Sequence, residues 1–117
     1  MQGPTNLDAV FLAMGDGTRR AILARLAKGE ATVMELAEPF AMTQPAVSQH
    51  LKVLEQAGLV VSRVDGARRP RRLAPAGLDA MEKWLAMLRA GMERSYERLD
   101  LVLAEMDEPK KRKRRKS

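Results

Sequence analysis

The sequence predicts a mainly α-helical protein with one small β-hairpin and a long last helix. Apolar residues recur at helical spacing in five segments, which predicts five amphipathic helices. After the fourth of these segments, apolar and polar residues alternate up to an Asp-Gly pair, which is typical of a β-hairpin. From about residue 75 to residue 106 the helical pattern continues without a convincing break. The chain of 117 residues suits a single compact domain.

The first two helices are short, and Gly15 separates them. One side of the first helix consists of four apolar residues at helical spacing, Leu7, Val10, Phe11 and Met14. Asp16 follows as an N-cap, because its carboxylate can accept the free amide hydrogens of the next turn. Gly29 ends the second helix, whose inward side is apolar. The inward residues of this helix are Ile22, Leu23 and Leu26.

The third and fourth helices carry clear capping signals. Thr32 and Glu35 have the spacing of a capping box at the start of the third helix. Thr43 caps the fourth helix, and Pro45 is acceptable in its first turn, where an amide would have no partner. Gly58 ends the fourth helix in a left-handed conformation. The inward residues are Val33, Leu36, Ala37 and Phe40 in the third helix and Val47, Leu51 and Leu54 in the fourth.

A hairpin follows the fourth helix. Residues 59–65 alternate as a half-buried strand does, and residues 68–73 form the returning strand. Asp65 and Gly66 provide the turn. Pro70 has no amide hydrogen, so we expect the returning strand to be an edge strand or to be interrupted there.

The last helix carries an apolar stripe along its whole length. At 1.5 Å per residue it would be about 45 Å long, more than a small monomer can cover. We therefore predict a homodimer whose interface combines this stripe with the apolar side of the first helix. The predicted interface residues are Leu7, Val10, Phe11, Met14, Leu78, Met81, Leu85, Leu88, Met92, Tyr96, Leu99 and Leu103.

The positive charge of the chain is unevenly distributed. The net charge is +6, yet seven basic residues lie at positions 110–116, and the remaining chain has 14 basic and 15 acidic side chains. Residues 43–72 carry +4 and residues 73–109 carry −4. A basic middle segment in a nearly neutral body indicates one face for a polyanion. We expect a DNA-binding and dimerisation domain over residues 1–106 and a disordered basic tail over residues 107–117.

Composition excludes several classes of function. There is no cysteine, and His50 is the single histidine, so thiolate sites and sites with two imidazoles in one chain are excluded. The sequence has no phosphate-binding loop, no Gly-rich dinucleotide turn and no evident acid–base pair. We therefore expect no enzyme, no cofactor and no metal site. No apolar run is long enough to cross a membrane and no signal peptide is visible, so we expect a cytoplasmic protein without a membrane partner.

The second to fourth helices followed by the hairpin have the order of a winged helix-turn-helix. On the fourth helix, polar and small side chains lie opposite or beside the inward stripe, where they could approach base edges in the major groove of double-stranded DNA. Arginines of the hairpin could bind neighbouring phosphates. The predicted DNA-binding residues are Thr43, Gln44, Pro45, Ser48, Gln49, Lys52, Arg63, Arg68, Arg69 and Arg71.

Two alternatives to a sequence-specific regulator stay open. The domain could be an adaptor whose basic patch contacts an acidic protein, or a non-specific architectural DNA-binding protein. The polar face of the fourth helix favours DNA, because exposed aromatic residues would be expected at a protein-binding surface. His50, at the flank of the fourth helix, is interpreted as a boundary histidine that bonds a neighbour.

Four segments resemble the ArsR/SmtB family of dimeric winged-helix repressors. They are residues 16–20, 32–37, 44–54 and 57–60, of which the run from Gln44 to Val60 is the most specific. The resemblance implies a dimer built from the first and last helices that binds an inverted-repeat operator. It also implies that Gln44, Ser48 and Gln49 lie near the bases and that Arg68 and Arg69 belong to the wing.

The chain departs from the family at its metal ligands. By this resemblance, metal-sensing members carry a Cys-x-Cys pair at the start of the third helix. The matching positions of this chain are Thr32 and Met34. Another group binds zinc through aspartate and histidines of the last helix, and residues 75–106 contain no histidine. The sequence therefore resembles the subgroup without recognisable metal ligands. Its small-molecule effector is unknown.

Overall fold

The computed structural model describes residues 6–106, so the predicted disordered tail, residues 107–117, lies outside the described residues. The described part has five helices and one two-stranded antiparallel sheet, which confirms the predicted fold class. The elements are α1 (Leu7–Met14), α2 (Gly17–Leu26), α3 (Val33–Ala37), α4 (Gln44–Gln56), β1 (Val60–Ser62), β2 (Arg71–Leu73) and α5 (Pro75–Met106). The described residues fall into two compact units, one that ends at Glu82 and one that begins at Lys83.

The predicted N-caps are confirmed. The carboxylate of Asp16 accepts two amide hydrogen bonds from the first turn of α2, at 2.8 and 3.1 Å. Thr32 and Glu35 form a complete capping box on α3, with bonds of 3.2 and 2.9 Å. The hydroxyl of Thr43 accepts the amide of Ala46 at 3.2 Å and so begins α4. These bonds satisfy amides that have no partner within their own helices.

The turn between α3 and α4 contains a non-glycine residue in a left-handed conformation. Ala41 has a left-handed φ of 54°. Its amide donates to the carbonyl of Glu38 at 3.0 Å, and the amide of Met42 donates to that of Ala37 at 3.1 Å. This is the Schellman pattern, in which glycine is the usual left-handed residue. Gly58, with a φ of 75°, takes that position after α4, as predicted.

The strands of the hairpin are shorter than predicted. Pro70 interrupts the returning strand because it has no amide to donate, although its carbonyl accepts the amide of Arg63 at 3.1 Å. At the tip, Asp65 and Arg68 exchange two backbone hydrogen bonds of 3.0 and 2.9 Å around Gly66. Only β1 and β2, three residues each, keep a regular ladder.

Strand β2 has a one-residue contact on the side away from β1. Val60 of β1 lies opposite Leu73 on one side. On the other side, the backbones of Ala31 and Arg71 exchange hydrogen bonds of 3.0 and 2.8 Å. The segment before α3 thus acts as a third, one-residue partner of the hairpin.

The core of the first unit corrects part of the predicted dimer interface. Its largest fully buried side chains are Val10, Ile22, Leu36, Val47, Leu51, Leu54, Leu59 and Val60. Val10 is 0% exposed within one protomer, so it has no surface to offer a partner subunit. Leu78 and Met81 are also partly buried against this core. For Leu7, Phe11 and Met14 of α1, a contact with a second subunit stays a prediction.

The beginning of α5 packs closely on the segment that joins α4 to β1. The amide of Gly77 donates to the carbonyl of Gly58 at 2.8 Å. A Cβ atom at position 77 would lie 2.7 Å from the carbonyl oxygen of Ala57 and 2.9 Å from the side chain of Leu59. Glycine is therefore required here for its small size.

In the second unit, α5 exposes apolar side chains along one stripe. The exposed fractions of these residues lie between 43 and 55%. The residues are Leu85, Leu88, Met92, Tyr96 and Leu99. None of the helices in the described part of the chain is both long and apolar enough to cross a membrane.

Candidate nucleic-acid interface

Helix α4 has one buried face and one exposed polar face, as its sequence predicts. Its apolar side is fully buried in the core of the first unit. Thr43 and the residues predicted to face DNA are all exposed. The exposed residues of the helix are Gln44, Pro45, Ser48, Gln49 and Lys52. The structure thus brings these residues together on one accessible surface, and their contact with DNA stays a prediction.

His50 bonds a neighbour, as its flank position indicates. Its Nδ1 atom lies 3.4 Å from Nη1 of Arg19, whose side chain is only 15% exposed. Because a guanidinium only donates, Nδ1 can accept this bond only in the tautomer that carries the ring proton on Nε2. Arg19 also donates to the carbonyls of Leu12 and Ala13 at 3.1 and 3.0 Å. Arg19 therefore links the end of α1 to the middle of α4.

Two hairpin arginines bind carboxylates of the same chain. Arg63 donates from Nε and Nη2 to the two oxygens of Glu30, at 3.0 and 2.9 Å. Arg68 contacts Glu35 at 3.4 Å and Asp65 at 3.7 Å. All of these side chains are between 38 and 54% exposed, so DNA could reach them only in competition with the carboxylates.

The ion pairs alter the titration of the glutamates. Hydrogen bonds from Arg63 hold the pKa of the Glu30 carboxyl below its ordinary value, and Glu30 in turn raises the pKa of Arg63. The pKa of Glu35 is lowered first by its hydrogen bond from the backbone of Thr32, and also by the charge of Arg68. Both glutamates therefore stay ionised at neutral pH and reduce the positive charge of the hairpin.

Arg71 is largely engaged within the chain, and its contact with DNA stays a prediction. Its Nε donates to Oε2 of Glu55 at 3.0 Å, and its Nη1 donates to the carbonyl oxygen of Arg69 at 2.8 Å. Its side chain is only 19% exposed. The guanidinium is used within the chain because Arg71 points toward α4.

Arg72 is a hairpin arginine that stands outside the predicted DNA-binding set, and it lies on the other face of β2 from Arg71. Successive residues of a strand point to opposite faces, so Arg72 points away from the side on which Arg71 meets Glu55. Arg72 and Arg69 are exposed, and neither makes an ion pair with any residue in the range 6–106. Because Leu73 packs against the core, alternation along β2 places Arg72 on the outer face.

The two positions that hold metal-binding cysteines in metal-sensing members of the family are occupied differently here. Thr32 is engaged in the capping box of α3. Met34 is 66% exposed and turned to solvent. Within residues 6–106, no group of three or more histidine, cysteine, aspartate or glutamate side chains is arranged to hold a metal ion.

The chain is similar to known transcriptional regulators. A family model described as "Bacterial regulatory protein, arsR family" matches residues 16–62, which extend from the cap of α2 through β1. The HTH-type transcriptional regulator Rv2034 of Mycobacterium tuberculosis is 53% identical over 74 residues, 63% of this chain and 69% of that protein. The transcriptional repressor SdpR of Bacillus subtilis is 41% identical over 54 residues, 46% of this chain and 60% of that protein.

A solved structure extends the similarity to the fold. It is the solution structure of the homodimeric winged helix-turn-helix DNA-binding domain Mb0332 from Mycobacterium bovis, a possible ArsR-family regulator. That domain is 30% identical to this chain, with a TM-score of 0.57, and the match covers 79% of this chain and 82% of that one.

Proposed function

Because the chain belongs to the arsR family of bacterial regulatory proteins, we propose that it is a homodimeric repressor that binds an inverted-repeat operator. Its general function is DNA-binding transcriptional regulation, and it is not an enzyme. We assign DNA binding and dimerisation to residues 1–106. The proposal includes a cytoplasmic location and no response to metal through the known family sites, because Thr32 and Met34 stand at the ligand positions.

The exposed polar face of α4 is the observation that carries this proposal. Gln49 and Lys52 project from the side opposite the buried stripe, and the start of the helix is accessible. A glutamine amide can pair with adenine through two hydrogen bonds in the major groove, while a lysine suits a phosphate. Recognition helices of this type contact bases with their N-terminal residues, and the polar residues in the first turns of α4 are exposed.

The second unit supports the homodimer. Burial of the exposed apolar stripe on α5 against another protein surface would be stabilising, and the similar domain from Mycobacterium bovis is homodimeric. A second copy of the chain would supply an identical stripe, as an isologous interface requires. Two-fold symmetry then presents two copies of α4 to DNA, which is the reason for proposing an inverted repeat.

Selection of bound duplexes from random DNA tests the proposal. We expect a two-fold symmetric motif whose half-sites are about one helical turn, roughly 10 base pairs, apart. An asymmetric motif would contradict the symmetric dimer. Retention of DNA without any enriched motif would instead support the architectural alternative, and failure to retain duplex DNA would support the adaptor.

Replacing Gln49 by alanine is expected to relax the preference at one base position in each half-site. The loss should be about 1–3 kcal/mol against the preferred base. Titration of the operator and of its single-base variants measures this loss. Gln56→Ala is the matched control, because Gln56 is also exposed but lies at the C-terminal end of α4. Equal losses on operator and random DNA would argue against a base contact by Gln49.

Arg69→Ala is expected to weaken binding to operator and random DNA by similar factors. Loss of one phosphate contact per protomer should reduce the slope of log affinity against log salt by about 0.9 per protomer. Arg68→Ala should also weaken binding to both DNAs, but by a smaller factor, because Arg68 must break its ion pairs with Glu35 and Asp65 before it can bind a phosphate. Titrations at several salt concentrations compare the two variants. A loss confined to the operator would instead indicate base recognition by the wing.

A further inference from the structure

Arg71 and Glu55 form a link between the two elements proposed to touch DNA. Glu55 lies in the last turn of α4, and Arg71 begins β2 of the wing. Their contact of 3.0 Å is part-buried, with exposed side-chain fractions of 19 and 32%. Of the described hairpin arginines that make an ion pair, Arg71 is the least exposed.

The same arginine is held at three further points. Its backbone exchanges two hydrogen bonds with Ala31, the residue that precedes the capping box of α3. Across the hairpin it lies opposite Ser62. Its Nη1 donates to the carbonyl of Arg69, next to the interruption at Pro70. Through its side chain and its backbone, Arg71 therefore connects the end of α4, the entry to α3 and the outer part of the wing.

We propose that Glu55 and Arg71 are positioning residues that fix the wing at the angle to α4 required for operator recognition. This inference rests on the proposed DNA-binding function. Binding to an operator requires α4 and the wing to meet the groove and the backbone in one register at the same time. Binding to random DNA depends mainly on phosphate contacts, which tolerate many registers. A wing that is free to change its angle should therefore lose affinity for the operator and keep its affinity for random DNA.

The guanidinium suits this role better than an ammonium group would. Its planar fork donates to Glu55 from Nε while Nη1 holds the carbonyl of Arg69. Lysine keeps the charge but is a single donor centre and does not reproduce this geometry. Arg71→Lys therefore removes the positioning without removing the charge.

The experiment compares affinities for the selected operator and for random duplex DNA of equal length. For Arg71→Lys we expect the operator affinity to fall on the order of tenfold, the size of a coupling between residues in contact. The affinity for random DNA and the salt slope should stay unchanged. Glu55→Gln should reproduce the loss on the operator, and the double variant should be no worse than either single variant. Circular dichroism and thermal unfolding check that each variant is folded.

Two control variants separate positioning from charge. Arg72→Lys makes the same exchange at the neighbouring residue, which points the other way, and any change in affinity should be equal for the two DNAs. Glu38→Gln removes one exposed carboxylate that makes no ion pair with any other residue in the described range, and should act on both DNAs alike.

Three results would overturn the inference. Equal losses on both DNAs with a reduced salt slope would make Arg71 a phosphate contact, as its sequence position suggested. If both affinities fell equally, and in proportion to a fall in the unfolding temperature, the pair would serve only the stability of the fold. Unchanged affinities would leave the pair without a role in binding. If the parent protein bound no duplex DNA, the proposed function itself would fail, which is a separate outcome.

Discussion

Replacing Leu88 and Met92 together by glutamate is expected to leave the protein folded but monomeric. The two side chains lie on the exposed stripe of α5, with exposed fractions of 43 and 53%. In the proposed dimer each copy would bring two carboxylates into an apolar interface without partners, at a cost of about 3–5 kcal/mol for a buried charge left unpaired. Glutamate is a good helix former, so α5 itself should persist. Sedimentation at micromolar concentration measures the change.

The matched control places the same charges on the other side of the same helix. Met87 and Leu101 are exposed to 54 and 67%, and at 100° per residue they lie opposite the stripe. Met87→Glu with Leu101→Glu should therefore leave the dimer intact. A dimeric Leu88/Met92 variant would show that the stripe is not the interface. If both double variants were monomeric, the loss of the dimer would be due to the added net charge and not to its position on the stripe.

Loss of the dimer should carry through to DNA binding. A monomer presents one copy of α4 and can hold only one half-site, so the affinity for the full operator should fall well beyond tenfold. The affinity for an isolated half-site should barely change, because Gln49 and Lys52 keep their positions in the first unit. Titration of both DNAs with the monomeric variant separates the loss of symmetry from damage to the recognition helix.

Local signals in the sequence were sufficient to predict the helices and their caps. Asp16, Thr32 and Thr43 are caps because a side-chain oxygen next to free amides is stabilising wherever the chain later packs. The bounds of α5, from Pro75 to Met106, follow from its unbroken period. In each case the interacting groups are within four residues of one another, so the sequence alone contains the information.

Contacts between distant residues could not be predicted in the same way. The period of α1 marks Val10 as apolar but does not tell whether it is buried within one chain or between two. The count of +4 for residues 43–72 omits Glu30 and Glu35, which lie outside that segment yet pair with Arg63 and Arg68. The charge of the wing is therefore lower in the fold than in the sequence.

The pairing of Arg71 required knowledge of the sheet. A run of arginines near a hairpin indicates a phosphate-binding wing, but alternation along β2 sends Arg71 to α4 and Arg72 outward. Pro70 interrupts the strand and so decides where that alternation starts. The structure thus pairs Arg71 with Glu55 and leaves the adjacent Arg72 exposed on the other face.

Gly77→Ala is expected to destabilise the first unit although alanine is the better helix former. Alanine in place of glycine within a helix gains up to about 1 kcal/mol from propensity. Here the added Cβ would lie 2.7 Å from the backbone oxygen of Ala57 and 2.9 Å from Leu59. A backbone oxygen cannot turn aside as a side chain does, so the beginning of α5 must move away from the end of α4. That movement would strain the 2.8 Å hydrogen bond to Gly58.

We expect the clash to outweigh the propensity and to lower the free energy of unfolding by about 1–3 kcal/mol, as overpacking of a close contact does. Urea unfolding of the full chain at fixed protein concentration measures the change. Gly17→Ala is the matched control, because Gly17 begins α2 with only the flexible end of Arg20 within 4 Å of an added Cβ. That variant should be neutral or slightly more stable. If Gly77→Ala were as stable as Gly17→Ala, α5 would begin without the close contact to α4, and the anchoring of the last helix through Gly58 would have to be abandoned.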